Sequence, residues 1–167
     1  MEYLIRQRTR KDCKAIAHIV TVSWNETYKG IVPDWFLKEL KDNEEKRAQK
    51  AHEEFNENNN NQLVLEVNNE VIGFVNFGRA QDEEYKDCGE IIALYIIGKY
   101  KGKGLGRKLV EETMKKLKLI GFNKMIIACL KGNPSNEFYK HIGGIYVKDG
   151  VYKRLNLPEN IYYYENI

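Results

Sequence analysis

The segment Tyr100-Lys101-Gly102-Lys103-Gly104-Leu105-Gly106-Arg107-Lys108 has the make-up of an anion-binding loop. It follows an apolar run, Glu90 to Ile97, that reads as a buried strand, and it leads into an amphipathic helical pattern. That order brings bare backbone N–H groups and the positive end of a helix dipole to one place, which suits phosphate. Gly102, Gly104 and Gly106 let the main chain approach an anion with no side chains in the way. Lys101, Lys103, Arg107 and Lys108 surround it with positive charge. Two familiar phosphate loops are excluded. A P-loop needs serine or threonine after its lysine, whereas Gly104 follows Lys103. A dinucleotide fingerprint needs a third glycine where Leu109 stands, and an acidic residue about twenty positions on, where Cys129 and Leu130 stand.

Glu90 is the second residue with chemical potential. It interrupts the apolar strand Ile91-Ile92-Ala93-Leu94. A carboxylate in such surroundings holds its proton more tightly, which favours general-base work near neutral pH. The competing reading is a strand-end glutamate facing water, since Asp87 and Gly89 precede it.

With Lys101, Gly104 and Gly106 in place, the loop resembles the R/Q-x-x-G-x-G/A turn of the GNAT superfamily of N-acetyltransferases. Lysine replaces the usual arginine or glutamine, which keeps the charge but weakens bidentate gripping. Asn133-Pro134-Ser135-Asn136-Glu137-Phe138-Tyr139, followed by Gly143-Gly144, resembles the family's second signature. The resemblance implies that Lys101, Gly102, Lys103, Gly104, Leu105, Gly106 and Arg107 grip the pyrophosphate of acetyl-CoA. It implies that the main chain of Leu94, Tyr95 and Ile96 pairs with the pantetheine arm, as in strand addition. Either Asn133 or Asn136 would bond that arm. Tyr139 would protonate the departing sulphur; a phenol, with an ordinary pKa of about 10, is a donor at neutral pH. Glu90 would be the base, acting directly or through water. Trp24 and Tyr28 would wall the acceptor pocket, although the plain reading of Trp24 and Trp35 is hydrophobic core. Glu26, Asp82, Glu83, Glu84 and Asp87 would draw a cationic amine, or simply form a solvated face.

The elements around these residues follow from pattern. Tyr3 to Arg8 reads as a strand, and Thr9 with Asp12 as a capping-box start. A helix puts Cys13, Ile16, Ala17 and Val20 on one stripe and runs towards Tyr28, with Gly30 as its break. Pro33 suits the first position of a helix through Leu40, and Asn43 caps another from Glu44 to Phe55. Asn56 to Asn61 is a polar loop. Strands over Leu63–Val67 and Val71–Phe77 flank an Asn68-Asn69 turn. After the strand from Glu90, which should be central, a helix spans Gly104 to Ile120 with Leu105, Leu109 and Leu117 inward and Gly121 as its stop. A strand over Met125–Leu130, a short helix from Pro134, and strands over Ile145–Leu155 and Ile161–Tyr164 complete the chain. The expected fold is α/β (α+β): one GNAT-like domain, 1–167, with a mixed, mostly antiparallel sheet flanked by helices on both faces.

Bulk properties narrow the rest. The 167 residues suffice for one domain that buries roughly two-thirds of its unfolded surface. A net charge of +3 does not call for nucleic acid, and no apolar run approaches the about 20 residues of a membrane span. Cys13, Cys88 and Cys129 are odd in number and lack metal-site spacing, so reduced thiols in a cytoplasmic protein without a metal centre are expected. The expected function is acetyl transfer from acetyl-CoA to a primary amine, on a small molecule or a peptide, by direct attack in a ternary complex. The alternative is a non-catalytic CoA-binding or sensory module on the same scaffold. The Tyr162-Tyr163-Tyr164 strand reads either as the edge of a homodimer or as core.

Overall fold

A computed structural model describes all 167 residues. The strands are β1 (Tyr3–Gln7), β2 (Gln62–Val67), β3 (Glu70–Arg79), β4 (Gly89–Ile96), β5 (Met125–Leu130), β6 (Ile145–Tyr152) and β7 (Leu157–Tyr164). The helices are α1 (Cys13–Thr27), α2 (Asp34–Asp42), α3 (Glu44–Glu54), α4 (Leu105–Leu119) and α5 (Ser135–His141). The strands form one mixed sheet in the order β1-β2-β3-β4-β5-β7-β6, flanked by helices, with β4 in the middle place. The chain gathers into two compact units: residues 1–76 with 93–109, and residues 77–92 with 110–167.

In the first unit β1, β2 and the start of β3 form an antiparallel meander. Asn68 and Asn69 both adopt positive φ, 52° and 65°, the geometry of a two-residue type I′ turn. Ile19 of α1 packs on Val64 and Phe74, with Ile16, Val20, Tyr95 and Ile97 around them. Full burial of each such side chain contributes about 1.5–3 kcal/mol. Asp12 fixes the entry to α1: its carboxylate accepts from the Thr9 N–H at 2.7 Å and pairs with Arg6 at 2.8 Å. The asparagine loop is fastened at Asn60, whose side chain donates to the Arg8 carbonyl at 2.7 Å.

Three expectations in this unit need correction. Pro33 sits at the N-cap of α2, not its first position, because its backbone is extended at ψ 140°. Asn43 makes no side-chain cap on α3: it also ends α2, donating its N–H to the Glu39 carbonyl at 3.0 Å, and its near-helical ψ of 9° is not cap geometry. Trp35 is 60% exposed, whereas Phe36, Leu37 and Leu40 form the buried stripe of α2.

In the second unit β5 is parallel to the start of β4, with β7 antiparallel to β5 on its other side and β6 outermost. Residues 162–164 therefore lie inside the sheet, and the edge strand is β6. The strand extends back to Leu157 because Pro158, which has no N–H to donate, still accepts from Lys131 through its carbonyl at 3.0 Å. Gly89 lets α4 lie close: a Cβ there would stand 2.8 Å from a Leu117 methyl. Gly121, at φ 104°, ends α4, with the Phe122 N–H reaching back to Leu117 at 3.0 Å.

Candidate active site

In the first unit, β4 passes into a 3₁₀ turn, Gly98–Tyr100, and then into the glycine-rich loop before α4. Gly102 and Gly104 have φ of 73° and 78°, a region that favours glycine. Apart from the adjoining residues, no atom lies within 4 Å of where their Cβ atoms would be, so the space above this backbone is open. Leu105 is buried and anchors the first turn of α4, Gly106 is half-buried, and Lys101, Lys103, Arg107 and Lys108 are exposed. The ammonium groups of Lys99 and Lys103 stand 5.0 Å and 5.6 Å from the centre of the Tyr100 ring. First-turn N–H groups, open space and exposed cations are features that suit an anion.

The β4–β5 ladder stops at Ile91↔Ile127, while β4 runs on to Ile96. Leu94, Tyr95 and Ile96 thus lie beyond the last β4–β5 pair. On the β3 side the approach is tight: a Cβ on Gly73 would meet the Tyr95 carbonyl at 2.8 Å. The Tyr95 ring packs on Phe74 at 5.5 Å, and its hydroxyl accepts from Trp24 Nε1 at 2.9 Å. Trp24 stacks on Tyr28 at 4.3 Å and meets Phe36 at 5.3 Å. Trp24 and Tyr28 are each only 7% exposed, so both belong to the core and leave little surface for an acceptor to touch.

In the second unit, Glu90 is half-buried and accepts from the Gln81 N–H at 3.2 Å. Burial pushes its carboxyl above the ordinary range; the Gln81 bond opposes this and the charge of Asp82 adds to it. Glu159 is raised too, by burial and then by the charge of Glu90. Strand alternation sends Glu90 to the face of Ile126 and Tyr163, and its neighbours Gly89 and Ile91 to the face of Met125, Ile127, Tyr162 and Tyr164. The latter face carries α5. Tyr139 is buried there, and its carbonyl accepts from the Tyr164 hydroxyl at 2.7 Å and the Gly144 N–H at 3.0 Å. Gly144 has to be glycine, since a Cβ would stand 2.6 Å from the Tyr164 hydroxyl. The carboxylate and the phenol-bearing helix are therefore on opposite faces of this part of the sheet.

The two asparagines separate clearly. Asn136 donates to the carbonyls of Leu130 at 2.9 Å and Asn133 at 2.8 Å. Its Oδ1 accepts from Asn160 at 3.0 Å and Tyr162 at 2.7 Å. Both amide hydrogens and both lone pairs are engaged, so Asn136 has no capacity left for a ligand. This removes it from the set expected to touch a cofactor. Asn133 Oδ1 accepts from the Ser135 N–H at 2.8 Å, which starts α5.

The acidic residues expected to face an incoming amine are mostly paired. Lys148 reaches Asp82 at 2.8 Å and Glu84 at 3.2 Å, Lys124 reaches Asp87 at 3.5 Å, and Lys86 pairs with Glu83. Glu26 turns to the Gly98 N–H at 3.2 Å.

Residues 7–144 match the acetyltransferase (GNAT) family. The chain belongs to that family. It is an N-acetyltransferase whose acetyl donor is acetyl-CoA, and the non-catalytic reading gives way. It is 28% identical over 141 residues, 81% of this chain and 76% of the other, to the uncharacterized N-acetyltransferase YuaI of Bacillus subtilis. The fold is similar to that of the PaiA N-acetyltransferase of Thermoplasma acidophilum, solved in complex with coenzyme A: TM-score 0.79, 19% identity, 99% of each chain. It is also similar to YncA of Salmonella typhimurium, solved with acetyl-CoA: TM-score 0.66, 21% identity, 98% of this chain and 93% of that one.

Glu159 was missed in the sequence because Leu157-Pro158-Glu159 reads as a loop. Alternation counted backwards from Ile161 would have placed it on the inward face with Glu90.

Proposed function

We propose that residues 1–167 act as one N-acetyltransferase domain that moves acetyl directly to a primary amine of a small molecule or peptide while both substrates are bound. The observation that carries this reading is the half-buried Glu90 carboxylate on the central strand, with its raised proton affinity. A base must take up a proton, and burial raises the proton affinity of Glu90 above that of a surface glutamate.

Lys101, Lys103 and Arg107, with the backbone N–H groups of residues 102–106, hold the diphosphate. The main-chain groups of Leu94, Tyr95 and Ile96 hold the amide-bearing arm, and Asn133 supports it. Acetyl-CoA supplies the thioester, whose carbonyl carbon takes the amine and whose sulphur leaves. Glu90 removes a proton from the acceptor ammonium, directly or through a water, because only the free amine has a lone pair. Tyr139 delivers a proton from its hydroxyl to the sulphur, and its phenolate is restored by the second proton that the attacking nitrogen sheds on becoming an amide. Tyr164 and Gly144 tie down the Tyr139 carbonyl. Because Glu90 and the Tyr139 helix lie on opposite faces, this reading puts the thioester past the Ile91–Ile127 pair, where the β4–β5 ladder ends and a group can be reached from either face.

Initial rates with both substrates varied test the order of events. Intersecting lines, together with losses of about 10²–10⁴-fold in kcat for Glu90→Gln and Tyr139→Phe, are expected. Parallel lines would mean an acetylated enzyme and refute direct attack. Unchanged turnover in both variants would remove the assigned roles.

A further inference from the structure

Glu26 is in the last turn of α1, where a carboxylate opposes the helix dipole. A residue that breaks a local rule this way is usually kept for another interaction. Its Oε2 accepts from the backbone N–H of Gly98 at 3.2 Å, across 72 positions of sequence. Gly98 opens the 3₁₀ turn that leads into the diphosphate loop, and its own carbonyl accepts from the Lys101 N–H at 3.0 Å. The contact also accounts for the glycine. A Cβ at 98 would stand 2.7 Å from Glu26 Oε2 and 3.3 Å from its Cδ, while the backbone at Gly98 is not in the left-handed region. Two residues before Glu26 in α1, Trp24 Nε1 donates to the Tyr95 hydroxyl at 2.9 Å. One helix end is thus bonded twice to the final stretch of β4, once at Tyr95 and once just beyond the strand.

We propose that Glu26 is a positioning residue for the acetyl donor: it fixes the Gly98 end of the diphosphate loop and so sets the affinity for the CoA moiety, while taking no part in the chemical step. This rests on the reading of residues 101–107 as the diphosphate grip. The distance is that of an ordinary hydrogen bond with a charged acceptor at an exposed position. Its loss is expected to weaken coenzyme A binding by roughly 3- to 10-fold.

The experiment uses the whole chain and reads four quantities: coenzyme A Kd by calorimetry, KM for acetyl-CoA, kcat, and melting temperature. Glu26→Ala should raise Kd and KM together by that factor, with kcat within about twofold of wild type. Glu26→Gln, which retains a carbonyl acceptor, should stay close to wild type. Gly98→Ala should mimic Glu26→Ala, because the new methyl displaces the flexible carboxylate at little cost to the fold, and it keeps the test valid if Glu26→Ala proves unstable. The double variant should bind no more weakly than either single one.

Unchanged Kd in Glu26→Ala, with weaker binding in Lys101→Ala and Lys103→Ala, would overturn the role of Glu26 and leave the loop reading standing. Unchanged Kd in the lysine variants as well would overturn the loop reading itself. Additive losses in the double variant, or a Gln variant as weak as Ala, would refute the shared hydrogen bond.

Discussion

Replacing Asn136 by alanine is the sharpest test of how this site is built. The side chain makes four hydrogen bonds between 2.7 and 3.0 Å, to Leu130, Asn133, Asn160 and Tyr162. Three partners are well buried, with residue exposures of 5% for Leu130, 9% for Asn133 and 1% for Tyr162. A buried polar group left unpaired costs about 1–3 kcal/mol. Water can reach Asn160, and partial relaxation reduces the rest, so the expected loss is about 3–5 kcal/mol. Against a domain stability of about 5–15 kcal/mol, that leaves a folded but fragile protein. Urea unfolding midpoints measure it. Tyr162→Phe removes one of the four bonds and should cost about 1 kcal/mol, and the double variant should cost less than the two singles added together. At low temperature, where Asn136→Ala remains folded, coenzyme A affinity should stay within about twofold of wild type. A stability loss below about 1 kcal/mol, accompanied by a tenfold drop in affinity, would refute the assignment and make Asn136 a ligand.

Glu90 should show itself in pH dependence. kcat/KM is expected to rise with pH along a limb centred above the ordinary carboxylate value of about 4.3, and Glu90→Gln should abolish that limb. The stability sign follows from the same shift. The folded state binds the proton more tightly, so the contribution of Glu90 is greatest below the unfolded pKa and is lost as pH rises through the folded one. Glu90→Gln should therefore raise the melting temperature more at pH 8 than at pH 4. Burial, with the charge of Asp87, pushes the Cys88 thiol up to about 11, and burial with Glu159 pushes Cys129 to about 12. Neither should react rapidly with a disulfide reagent at pH 8 until denaturant is added. Gly104→Ala forces a side chain into φ 78°, at a cost of about 1–3 kcal/mol, which a thermal melt should register as a drop of several degrees.

Much of this was legible in the chain. The shift from alternation to helical spacing after Ile97, the glycines at 102 and 104, and the stop at Gly121 all describe conformations that the backbone adopts. Local chemistry was enough there, because each feature depends on neighbours in sequence. Reading failed where a distant partner decides. Trp35 and Phe36 are adjacent and both aromatic, and only the packing of Phe36 beside Trp24 shows which one is core. Pro158 suggests a loop until Lys131, just past β5, supplies a donor for its carbonyl. Asn133 and Asn136 look interchangeable, and the difference arises from Asn160 and Tyr162 on β7. The acidic stretch 82–87 resembles a lure for cations, yet Lys148 and Lys124 already occupy it.

The position of β7 has a consequence for how the chain assembles. It follows β5 and β6 in sequence but inserts between them, pairing with Met125–Leu130 on one side and Ile145–Tyr152 on the other. Until it arrives, the apolar β5 segment offers a naked rim of amides and carbonyls to any passing chain. β6 meanwhile has no sheet to join, because its ladder partner is β7. The hairpin must therefore dock as a unit. Damage near residues 157–164 would not peel away a margin; it would open the sheet at β5, the neighbour of the strand that carries Glu90.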